Sequence, residues 1–142
     1  VRVELYLTVL AGLAGGLCGT LWSGLVSMPL FARRPAWRPP AWQLDNAARL
    51  LLRAVIHGTG GALAGVLFWL GWGLVAVVSA PWPAIGAAFG GLLWAGGALP
   101  LFGTLALQDR DRRAALLVAT VEALVACLAA GLLCAYVWHE ST

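Results

Sequence analysis

Between Arg53 and Asp109 the chain carries no Asp, Glu, Lys or Arg, a run of 55 residues from Ala54 to Gln108. As one helix this run would reach about 80 Å, against a hydrocarbon core of roughly 30 Å. It must therefore turn back, and Pro81-Trp82-Pro83 is the strong breaker near its middle. A second uncharged stretch runs from Leu5 to Ala32, and a third, Ala114 to Trp138, holds the single charge Glu122. The count predicts an all-α polytopic membrane protein with four transmembrane helices in a single domain covering 1–142. Composition agrees: 61% of the residues are hydrophobic and 11% charged, where an ordinary soluble domain has roughly 25% charged.

The predicted spans are Leu5–Phe31, about Ala54–Val78, about Ala84–Leu107 and about Ala114–Trp138. Pro40 suits a first helical turn, so the second helix is expected to begin early, with an interfacial lead-in over Ala41–Ala54 that carries Asp45, Arg49 and Arg53. All nine basic residues are Arg, which fits a GC-rich bacterial genome. Short loops rich in Arg stay in the cytoplasm. The first loop and its lead-in hold Arg33, Arg34, Arg38, Arg49 and Arg53, and the third loop holds Arg110, Arg112 and Arg113, against Arg2 alone on the opposite side. The expectation is a multi-pass protein of the bacterial inner membrane with both termini periplasmic. A cleaved signal peptide is disfavoured, because Val1-Arg2-Val3-Glu4 is neutral and the apolar run after it is too long. The basic balance points to no nucleic acid, since the arginines flank spans instead of interleaving with aromatics.

Small residues mark where helices should touch. Gly12 and Gly16, Gly15 and Gly19, Gly61 and Gly65, and Gly86 and Gly90 are each four apart, the spacing that lets two backbones approach closely. Such faces serve equally within one chain or between chains. The sequence also resembles itself. Leu21-Trp22-Ser23-Gly24-Leu25-Val26-Ser27-Met28-Pro29-Leu30-Phe31 aligns with Leu93-Trp94-Ala95-Gly96-Gly97-Ala98-Leu99-Pro100-Leu101-Phe102 after one deletion. The next helices align through Val55-Ile56-His57 with Thr120-Val121-Glu122. A tandem repeat of two helices follows, unit one about 5–78 and unit two about 84–138, with a pseudo-two-fold axis along the membrane normal.

His57 and Glu122 are the candidate polar pair. An ionised carboxylate in lipid costs several kcal/mol, so such residues face a protein interior or a wet cavity. Both sit in the half of the membrane nearer the arginines, at equivalent repeat positions, and should face each other across the axis. They read as a proton-handling or ligand-contacting pair, as a buried hydrogen-bonded pair, or with Glu122 as a solitary neutral acid. No cofactor is expected. A b-type haem usually takes two His, and His139 lies at the opposite rim from His57. No Glu-x-x-His spacing suggests a metal, and Ser23 and Ser27 have neither a neighbouring base nor a Gly-x-Ser-x-Gly context. Cys18, Cys127 and Cys134 read as small apolar packing residues. Of eight Trp, Trp37, Trp42, Trp82 and Trp138 fall where interfacial anchors belong, while Trp22, Trp69, Trp72 and Trp94 lie inside spans and read as packing residues.

The order of features, a Gly-rich first helix, His57-Gly58 followed by Gly61 and Gly65, Phe89-Gly90-Gly91 with Pro100, and a polar residue midway along the fourth helix, resembles small four-helix bacterial inner-membrane proteins of the YagU-like kind. That resemblance implies a fold and no activity. With so little mass outside the spans, the first reading is a non-catalytic membrane subunit or accessory protein. It would pack in the lipid bilayer against other membrane helices, either copies of itself or a larger complex such as an energy-transducing one. The alternatives are a small proton-linked transporter or channel using His57 and Glu122, and a lipid- or quinone-binding membrane protein. An enzyme is least expected.

Overall fold

The computed structural model describes residues 4–71 and 79–141. It is 90% helical and contains four helices long and apolar enough to cross a membrane: α1 (Leu5–Arg33), α2 (Asn46–Gly71), α3 (Trp82–Gln108) and α4 (Arg113–Ser141). Among the described residues there is no strand. The predicted lead-in over Ala41–Ala54 is corrected at its start. Pro40–Gln43 forms a short 3-10 turn, and α2 begins at Asn46. Asp45 decides the boundary, because its Oδ1 accepts the Ala48 backbone N–H at 2.7 Å and so satisfies a donor that the first helical turn leaves free. The predicted end of the second span at Val78, together with Trp72, lies outside the described residues, as does Arg2.

Two helices contain one wide turn each. Ser23–Ser27 in α1 and Trp94–Ala98 in α3 are π-helical, with Met28 N–H bonded to the Ser23 carbonyl and Leu99 N–H to the Trp94 carbonyl. Both wide turns end two residues before a proline, Pro29 or Pro100. A proline ring inside a helix clashes with the carbonyl four residues back and offers no N–H to it. A π-turn at that place re-routes the ladder. The physical signal common to the two self-similar segments is thus counted from the proline, and the one-residue difference between them falls between the tryptophan and the turn.

α1 packs against both α2 and α4, and α4 also packs against α3. Glycine makes these approaches possible. A Cβ on Gly12, Gly16, Gly61 or Gly65 would run into backbone of the facing helix across the α1–α2 seam. Gly15 meets the backbone of Ala129 and Ala130 on α4, and Gly19 meets Ala126. These two glycine pairs lie three residues apart, roughly 60° around the helix, so α1 offers a separate narrow face to each neighbour. Gly86 and Gly90 of α3 lie against Gly131, Leu132, Cys127 and Leu128 of α4. All eight sequence-predicted packing glycines therefore make their close approaches within the chain.

The core sits toward the end away from the arginines. Phe68 is 1% exposed and meets Phe89 edge-on at 5.1 Å, with Trp138 at 6.3 Å. Ala11, Ala64, Ala130 and Cys134 fill in around them, and the Cys134 thiol donates to the Thr8 carbonyl at 3.4 Å. Leu21, Leu25, Leu51, Leu63, Leu92 and Leu107 project outward and are exposed, the arrangement expected where the surrounding solvent is hydrocarbon.

Candidate functional site

Arg49, Arg53 and His57 stand at successive four-residue steps on α2 and hence on one face. That face looks across the bundle at Glu122 of α4, which is only 2% exposed. The Arg53 guanidinium donates to Glu122 Oε2 and forms a salt bridge with it. His57 Nε2 stands 4.0 Å from the same oxygen, beyond hydrogen-bond length. Its other nitrogen, Nδ1, is 3.2 Å from the Thr20 hydroxyl of α1. Room for the imidazole comes from Gly19, where a Cβ would lie 3.1 Å from His57 Nδ1 and 2.8 Å from the Ala126 Cβ. The expected pair therefore does face across the bundle, but the carboxylate takes arginine as its direct partner. Arginine carries a permanent charge and a forked donor set suited to a carboxylate, and this decides the pairing.

One helical turn closer to the end of α2, Arg49 lays its guanidinium over the Trp42 ring at 3.9 Å and donates through Nη2 to Asn46 Oδ1. Its Nε and Nη1, like Glu122 Oε1, are buried with no hydrogen-bond partner among the described residues. Trp42 also lies beneath Arg38 at 5.0 Å and against Phe31 at 6.1 Å. Arg38 in turn donates to the Phe31 carbonyl at 3.0 Å, which closes the free end of α1 and holds the loop down over the bundle.

These side chains bound a cavity of about 320 Å³, walled by Met28, Phe31, Leu52, Ile56, Phe102 and Ala119 and lined on its polar side by Arg49, Arg53, His57 and Glu122. A second hollow of about 270 Å³ continues from it along α2 and α4, past Gly60, Leu63 and Leu67 with Leu93 of α3 on its far wall. Ile56, His57 and Ala123 line both. Ile56, Leu63 and Leu67 are exposed on the outside of the bundle, so the second hollow opens sideways. With His57 counted neutral, Arg49, Arg53 and Glu122 leave one net positive charge at the polar end.

Among the described residues no group of three His, Cys, Asp or Glu could hold a metal ion, and Cys18, Cys127 and Cys134 are free thiols. Trp94 is tied by its indole N–H to the Thr120 carbonyl at 2.9 Å. Sequence reasoning missed Arg49, Arg53, Trp42 and Thr20 as members of the site. Its usable signal was the four-residue stepping of Arg49, Arg53 and His57. No protein family, no curated protein and no solved structure matches the chain.

Proposed function

We propose that this chain is a non-catalytic protein of the bacterial inner membrane that holds an amphipathic small molecule of the lipid or quinone class, its head in the leaflet nearer the arginine loops. The observation that carries this reading is the cavity itself. Small-molecule sites are mostly apolar hollows with a few convergent polar groups, and ionisable residues inside membrane spans usually mark pathways or ligands. Here four such groups converge at one end of apolar walls that open sideways, where a hydrocarbon chain would enter from the bilayer. Arg33, Arg34 and Arg38 at the first loop and Arg110, Arg112 and Arg113 at the third support placing that end in the cytoplasmic leaflet, with both termini periplasmic. Purification in a mild nonionic detergent, followed by lipid and quinone analysis, tests the reading. About one retained amphiphile per chain is expected, and a chain that carries none overturns it.

A second reading, an accessory subunit that packs against further helices, is favoured by one observation. A Cβ built on Gly91, Gly96, Gly97 or Gly103 of α3 meets nothing within 4 Å, so this glycine-rich helix has small-residue surface left over. Copurification of a stoichiometric partner at low detergent would support it, and a clean monomer would not. The transport alternative draws less support, because beyond His57 the bundle is filled by Phe68, Phe89, Ala130 and Cys134.

A further inference from the structure

The polar end of the cavity is not electrically balanced by its own residues. Glu122 is answered by Arg53, which leaves the Arg49 charge with Asn46 Oδ1 and the Trp42 ring as its neighbours. Neither is an anion. Two of its guanidinium nitrogens are buried without acceptors, and burying charged donors unpaired costs free energy that a ligand anion would recover. Glu122 Oε1, also buried and unpartnered, would repel an anion, but Arg53 stands on the same carboxylate and screens it. A neutral head such as a quinone carbonyl would accept a hydrogen bond and leave the net charge uncompensated. From Arg49 to Leu67 the cavity and its lateral continuation follow α2 for 18 residues, roughly 27 Å along the axis. That exceeds the depth of one leaflet, about half of a ~30 Å hydrocarbon core.

Resting on the amphiphile-binding reading, we propose that the ligand is an anionic amphiphile whose phosphate or carboxylate head is held by Arg49 and whose hydrocarbon tail leaves past Ile56 and Gly60 along the α2–α4 groove.

The test uses the full chain in nonionic detergent and three probes: hexadecyl phosphate, hexadecanol and inorganic phosphate. Hexadecyl phosphate should bind at about one per chain, and hexadecanol about tenfold more weakly or worse, the factor expected for one lost charge-assisted hydrogen bond. Millimolar inorganic phosphate should not displace the bound probe. Arg49→Gln should weaken hexadecyl phosphate by about tenfold, while Arg49→Lys, which keeps the charge but loses the planar fork stacked on Trp42, should fall between the parent and Arg49→Gln. Equal binding of hexadecanol would refute the anionic head and leave the amphiphile reading standing. Displacement by inorganic phosphate would make this a simple anion site and overturn both. Selective binding that Arg49→Gln does not weaken would refute the assignment of Arg49. Failure of both long-chain probes would overturn the proposal and the reading beneath it together.

Discussion

Gly60 and Gly61 are adjacent on α2, and the structure assigns them opposite tolerances. A Cβ at Gly61 would collide with the Gly12 carbonyl oxygen and lie 2.8 Å from Gly16 Cα and 2.9 Å from Gly16 N, all backbone atoms, whereas a Cβ at Gly60 meets nothing within 4 Å. Backbone cannot swing aside as a side-chain end can. To bring the Gly12 carbonyl oxygen back to ordinary contact, α1 and α2 must part by roughly 1 Å, a gap that forfeits up to about a half of each dispersion contact along the seam. Overpacking of this kind costs about 1–3 kcal/mol. Gly60→Ala should instead be neutral or gain up to about 1 kcal/mol from helix propensity. The same contrast is expected between Gly90, whose Cβ would lie 2.8 Å from Leu128 Cα, and Gly91, which is open. Reversible unfolding in mixed micelles of nonionic detergent and SDS measures all four alanine variants. If Gly61→Ala and Gly60→Ala shift stability equally, the α1–α2 approach described here is wrong.

Arg53→Met should cost about 3 kcal/mol, because it strands a buried carboxylate, and pairing it with Glu122→Leu should recover at least half; strictly additive losses in the same unfolding assay would refute the ion pair. Trp42→Ala should lower stability by about 1 kcal/mol through loss of the ring under Arg49, and an unchanged unfolding midpoint would place that ring elsewhere. Reporter fusions after Gln43 and after Arg110 should report cytoplasm and a fusion at the carboxy end periplasm; a cytoplasmic carboxy end would invert the bundle.

The four spans were legible because charge is costly in hydrocarbon, and long charge-free stretches can do little else than cross it. The glycine seams were legible for a related reason: between helices in lipid, close packing must do what the hydrophobic effect does in water. What escaped was angular. Counting arginines by chain position put Arg49 and Arg53 in a loop tally that sets orientation, whereas their place on α2 turns them inward toward Glu122. Trp42 read as an anchor at the interface, and the stacking of Arg38 and Arg49 on its ring went unread. The start of α2 was misplaced toward Pro40 because a proline tolerated in a first turn does not create one, while the Asp45 carboxylate supplies the missing acceptor. The π-turns left a trace, the proline two residues beyond each of them, that periodicity alone does not interpret.

Ala123 lines both the cavity and its lateral continuation, so Ala123→Trp would fill the junction between them. The decisive measurement is the amount of amphiphile retained per chain by this variant and by the parent after identical purification from native membranes. The variant should stay folded, with an unfolding midpoint close to the parent's, and carry about tenfold less bound amphiphile. A folded variant that retains as much as the parent would contradict amphiphile binding in this cavity.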